Sequence, residues 1–158
     1  MAGRWTDSHH EFLLGLECDV LLLTEVSERL RLDGYAVHMS EQSMADRRRW
    51  AAVLSRTELT PRPDPHPASA VATIAGTTYC SSILPWRSCG RQHLLRALEE
   101  LDLAAPTALL PHRIDGLLTI DHVAVARAAI VVGATRFVAE TEGRRLSDHD
   151  AYVVEIHR

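Results

Sequence analysis

The sequence predicts an α/β protein, a two-layer β-sandwich flanked by helices. Three observations carry that expectation. Apolar runs of strand length recur along the chain, at residues 19–24, 35–39, 50–55, 70–74 and 152–156. Helical spacing of apolar residues is confined to two stretches, one after Ser8 and one over residues 92–101. Many strands with few helices bury their apolar faces best as stacked sheets with helices outside. At 158 residues and 46% apolar, the chain is large enough for one domain with a real core, and a single domain over residues 1–158 is expected.

The elements follow in order. Ser8-His9-His10-Glu11 has the spacing of a capping box, and Phe12, Leu13 and Leu16 follow on one face, so a helix is expected from Ser8 to near Glu17. Residues 19–24 form an unbroken apolar run too short for a helix and typical of a strand covered on both faces. Residues 35–39 make the next strand, after the turn Leu32-Asp33-Gly34. Residues 50–55 make another, preceded by the charged run Asp46-Arg47-Arg48-Arg49. Pro61, Pro63, Pro65 and Pro67 exclude helix and central strand, which leaves a stiff extended connection. Residues 70–74 and 77–84 read as a hairpin turning at Ala75-Gly76. Residues 92–101 read as an amphipathic helix with Leu94, Leu95, Leu98 and Leu101 on one side. Residues 117–125 and 152–156 are the last clear strands, with a further strand expected at 136–139.

Composition narrows the functions. A net charge of −4 gives no global basic field to draw the chain to nucleic acid. The three cysteines, Cys18, Cys80 and Cys89, have no C-x-x-C spacing and read as free thiols in a reducing cytoplasm. No apolar run approaches the roughly 18 residues of a membrane helix, and the first ten residues hold no signal-peptide core. A soluble cytoplasmic protein with no membrane partner is therefore expected. His9 and His10 are adjacent on a helix and face different ways, so solvated side chains are expected there rather than metal ligands.

Three strings carry chemistry: Asp19-Val20-Leu21-Leu22-Leu23-Thr24-Glu25, Ile120-Asp121-His122-Val123-Ala124-Val125 and Ser147-Asp148-His149-Asp150. Each sets a carboxylate against a strand-like apolar run. The period of two sends Asp121, Val123 and Val125 to one face and His122 to the other. Asp148 and His149 stand just before the last strand, where a loop can aim both into one pocket. Carboxylates bind hard divalent cations and an imidazole can hold or protonate a phosphate oxygen, so the strings together suggest metal-assisted phosphoester hydrolysis. Taken alone, Ser147-Asp148-His149 reads as a turn capped by Asp148 beside a solvated His149; the order of the three strings is what points beyond that. Arg49 and Arg87 are candidate phosphate contacts, although a short arginine run is also an ordinary solvated face. Asp115, beside a glycine turn, competes with Asp121 to orient His149; a strand fixes Asp121, which favours it.

In this sequence order, Thr24-Glu25, Ile120-Asp121-His122-Val123 and Ser147-Asp148-His149 resemble the endonuclease/exonuclease/phosphatase family, whose fold is DNase I-like. The resemblance runs from about Glu11 to the C-terminus. It implies that Glu25 binds a catalytic Mg²⁺ or Mn²⁺ and that Asp148 lies beside the metal. It further implies that Asp121 orients His149, which holds the scissile phosphate during in-line attack by water. The implied substrate is a phosphoester, with nucleic acid among those such scaffolds take, and the implied activity is that of a nuclease or phosphatase. The chain contains no asparagine. It therefore lacks the family's N-terminal asparagine strand and its Gly-Asp-x-Asn strand, and an internal deletion is inferred near residues 90–91. Asp150 is the nearest substitute for the lost general base, although its side chain is expected to point away from His149. Weak turnover is expected, the alternative being a catalytically dead remnant that binds or has no function. A missing strand also exposes sheet edges, which a homodimer would cover.

Overall fold

The computed structural model describes residues 5–83, 90–116 and 121–157. Among these, β structure dominates, with two helices and no sheet closed into a barrel. The sheet-rich chain with few helices is thus as the sequence predicts. Two compact units are distinguished: Met1–Leu84 with Thr141–Leu146, and Pro85–Glu140 with Ser147–Arg158. No helix among the described residues is long and apolar enough to cross a membrane.

The first unit begins with α1 (Asp7–Gly15) and runs through β1 (Val20–Ser27), β2 (Ala36–Met39), β3 (Ser43–Ala45) and β4 (Arg48–Ser55). It continues with β5 (Leu59–Arg62), β6 (Ser69–Ile74) and β7 (Thr77–Ser82). One antiparallel sheet has the order β1-β4-β2, with β3 also on β4; the other has the order β5-β6-β7. Strand β4 lies between two cores because alternate side chains leave it on opposite faces. Ala52 and Leu54 join Leu13 of α1 and Leu21, Val26, Leu30 and Leu32 in one buried cluster. Ala51 and Val53 pack against Ala70, Ala72 and Ile74 of β6 in the other. The Ser81 hydroxyl donates to the Leu23 carbonyl at 2.8 Å, tying β7 to β1. The result is a helix on one face of two stacked sheets.

The second unit contains α2 (Gly90–Glu100), the short pair β8 (Leu103–Ala104) with β9 (Val125–Ala126), and an antiparallel ladder of β10 (Ile130–Phe137) with β13 (Ala151–His157). A bulge interrupts that ladder between Val131 and Gly133. In sequence between β10 and β13 is a small hairpin of β11 (Glu140–Thr141) and β12 (Arg144–Arg145), which from Thr141 to Leu146 belongs to the first unit.

Several expectations need correction. Helix α1 has Thr6 at its N-cap position, with no side-chain capping hydrogen bond, rather than opening on a Ser8 capping box. His9 is buried, not solvated: its Nδ1 meets the Thr6 hydroxyl at 2.7 Å and its Nε2 the Leu146 carbonyl at 2.9 Å. The proline segment starts as a strand, with Pro61 opposite Ala72. It is an edge strand, the one place in a sheet where a residue without an N–H is accommodated. Arg48 and Arg49 belong to β4 rather than preceding it. On α2, Leu94 and Leu98 are half-buried but Leu95 is exposed, as is Leu101 beyond its end, so the apolar face is narrower than its leucines suggest. The strand expected at 117–125 shrinks to β9: residues 117–120 lie outside the described residues, and 121–124 have no ladder partner. The Val123 N–H instead donates to the buried Thr107 hydroxyl at 3.0 Å. Conversely, β10 is longer than the strand expected at 136–139. Leu84, the end of the expected hairpin, also lies outside the described residues.

Candidate active site

Residues 121–125 alternate between half-buried and exposed, with His122 exposed and Asp121 turned inward. The period-two pattern therefore survives although the ladder does not begin until Val125. The half-buried carboxylate of Asp121 meets the loop before β13. His149 Nδ1 donates to it at 2.8 and 2.9 Å from the two oxygens, a contact that the sequence reading anticipates. The loop is shaped locally by the Ser147 hydroxyl, which accepts the His149 N–H at 3.2 Å. Asp115, the competitor for this role, is exposed beside the Gly116 turn.

The Asp121 hydrogen bond holds the His149 imidazole pKa above its ordinary value, against partial burial and with further help from the charges of Asp121 and Asp148. A carboxylate on Nδ1 fixes the ring and leaves Nε2 directed away from it. With 44% of its side chain exposed, His149 is open to a ligand. Asp148 next to it is exposed. This arrangement presents a cationic N–H donor to an anionic oxygen such as that of a phosphate.

Asp150, the nearest candidate for a substitute base, is engaged elsewhere. Its side chain is fully buried in an ion pair with Arg136 of β10, Nε to Oδ2 2.7 Å. It faces protein rather than water and is a structural anchor. Sequence reasoning missed Arg136 altogether. The available signal was an arginine inside the apolar run 130–138, which needs a buried carboxylate partner.

Of the remaining predicted site residues, Glu25 and Arg49 belong to the first unit. Glu25 is in β1 of the first unit, half-buried, with φ of 53°, a left-handed conformation rare for a residue with a side chain. Arg49, also in the first unit, is engaged locally: Nε pairs with Glu28 at 2.9 Å and Nη1 donates to the Glu41 carbonyl at 2.6 Å. Arg87 lies outside the described residues. Among the described residues no three His, Cys, Asp or Glu side chains gather into a set that could hold a metal ion. The Mg²⁺ or Mn²⁺ implied by the resemblance thus has no three-donor seat there, and the chemistry on view is that of His149 and Asp121. Cys18 and Cys80 are free thiols.

The chain matches no family model, no curated protein and no solved structure.

Proposed function

We propose that the Asp121–His149 pair is the phosphate-holding part of a phosphoester hydrolase of the endonuclease/exonuclease/phosphatase type, with a DNase I-like fold in abbreviated form. One observation carries this reading: an imidazole anchored at Nδ1 by a carboxylate 2.8 Å away, on a side chain that is 44% exposed. Asp121 sets the ring direction and stabilises the imidazolium. His149 Nε2–H donates to a non-bridging phosphate oxygen and offsets the charge that builds there as water attacks. Such a donor is typically worth about 10²–10³-fold in rate. The sequence resemblance adds a Mg²⁺ or Mn²⁺ requirement, with Asp148 as the oxygen ligand beside His149.

The test is hydrolysis of bis-p-nitrophenyl phosphate and of plasmid DNA, with Mn²⁺ and with EDTA, by wild type and His149→Ala. Slow hydrolysis that requires Mn²⁺ and disappears in His149→Ala is expected; turnover indifferent to His149 would sink the reading. Glu25→Ala separately reports whether the first unit takes part in metal dependence. A second reading, a non-catalytic phosphate-binding remnant, is favoured by the absence of any asparagine. General-base catalysis contributes typically about 10²–10⁴-fold, and the chain lacks the Asp-x-Asn that would supply it. Phosphate binding that needs His149, without hydrolysis by either protein, selects that reading.

A further inference from the structure

The Arg136–Asp150 pair beside His149, a buried carboxylate on a partly exposed guanidinium, has no part in the chemistry above, yet its geometry bears on the site. Asp150 follows His149 directly, and its side chain is 0% exposed. One carboxylate oxygen takes the Arg136 Nε–H at 2.7 Å; the other accepts the Ala139 N–H at 3.3 Å. Arg136 uses a second nitrogen, Nη1, to donate to the His112 carbonyl at 3.2 Å. Three segments of the second unit, β10, the 112 turn and the loop before β13, therefore meet on one guanidinium. Residues 148 and 149 form a bend, and Asp150 follows it directly. Holding residue 150 inward therefore restrains the backbone from which the His149 side chain leaves.

We propose that the Arg136–Asp150 pair is a positioning device that holds the His149 imidazole on Asp121, with Arg136 the positioning residue. The proposal rests on the phosphate-holding reading of His149 and deepens it. A buried ion pair adds little net stability over a well-packed apolar pair, so stability alone is a poor account of it. Orientation is what a guanidinium supplies: a planar fork whose two nitrogens serve Asp150 and the His112 carbonyl in one arrangement. A lysine ammonium is a point charge without that geometry. Sites of this kind need their groups held to within about 0.5 Å, and a loop residue attains that only through its supporting contacts.

The experiment compares full-length wild type, Arg136→Met and Arg136→Lys without metal. Nitrogen-15 NMR reads the tautomer of neutral His149, and titration with inorganic phosphate reads binding. In wild type, neutral His149 carries its proton on Nδ1, facing Asp121. In Arg136→Met the proton population shifts to Nε2 and phosphate affinity falls by at least about tenfold, the size of one lost charge-assisted hydrogen bond. Arg136→Lys keeps the charge but loses the fork, so it shows the same tautomer shift, to a smaller extent. A folded Arg136→Met protein with wild-type tautomer and wild-type phosphate affinity overturns the proposal. Should Arg136→Met fail to fold, Arg136→Lys decides: an unchanged tautomer refutes positioning and a shifted one supports it. If wild type binds no phosphate but its tautomer still responds to Arg136, the positioning stands and the functional reading falls.

Discussion

His149 shows how much one side chain's role depends on the atom opposite it. Its raised pKa gives the folded state an extra hold on a proton. The contribution to stability is fully present below the unfolded value, about 6.5, and is lost as pH rises through the higher folded value. Solvent reaches both partners, at 44% and 35% side-chain exposure, so the pair is worth at most about 1 kcal/mol. Asp121→Asn should therefore lower the urea midpoint at pH 6 and leave it nearly unchanged at pH 9. An equal deficit at both values would mean that the carboxylate acts through packing. The meeting of Asp121 with His149 was legible through the resemblance, which pairs these two residues; alternation added that His122 faces the other way. That Asp150 turns from His149 was anticipated, but its burial against Arg136 was not legible, because four polar residues in a row show no pattern. Its direction is set by Arg136, which lies across the ladder and not along the chain.

At the scale of elements, β1 and β4 invite two tests. Glu25 holds a left-handed conformation within β1 that disfavours any side chain, by about 1–2 kcal/mol. Glu25→Gly should relieve it, offset in part by the entropy of glycine in a strand, for a net gain of up to about 1 kcal/mol in urea unfolding. A clear loss of stability would show that the Glu25 side chain contributes more than its backbone costs. Leu54 in β4 is fully buried in the cluster beneath α1, so Leu54→Ala should cost about 2–5 kcal/mol by the same measurement. The apolar half of β4 was plain in the sequence. Its start was hidden because Arg48 and Arg49 look like loop residues. They pair in register with Ser27 and Val26 of β1, and Arg49 keeps its charge paired to Glu28. Edge position likewise lets Pro61 join a ladder that its missing N–H would break in a central strand.

At the scale of the whole molecule, the two units differ in how much they bury. The first holds two apolar clusters with Val26, Leu30, Val53, Leu54 and Ile74 almost wholly inside. In the second, the buried side chains among the described residues are chiefly Thr107, Ala139 and Asp150, while Ile130, Val132, Phe137 and Val138 of the β10 region are exposed. That difference explains why the first unit was the more legible: unbroken apolar runs declare covered strands, whereas apolar residues left in water blur the period on which prediction relies. It also decides which part opens first. Apolar burial supplies roughly 25 cal/mol per Å², so a unit with few buried apolar side chains has little to oppose chain entropy. Backbone amides of β10 and β13 should therefore exchange through a local opening, while those of β1 and β4 wait for global unfolding. Hydrogen exchange followed by mass spectrometry should show β10 and β13 exchanging at least about tenfold faster, since each 1.4 kcal/mol of opening energy is a factor of ten in population. A rise in β10 protection with protein concentration would instead identify a second copy covering that strand, as an exposed apolar edge invites. Equal protection of all four strands at every concentration would show that the second unit draws its stability from a source other than its own buried side chains.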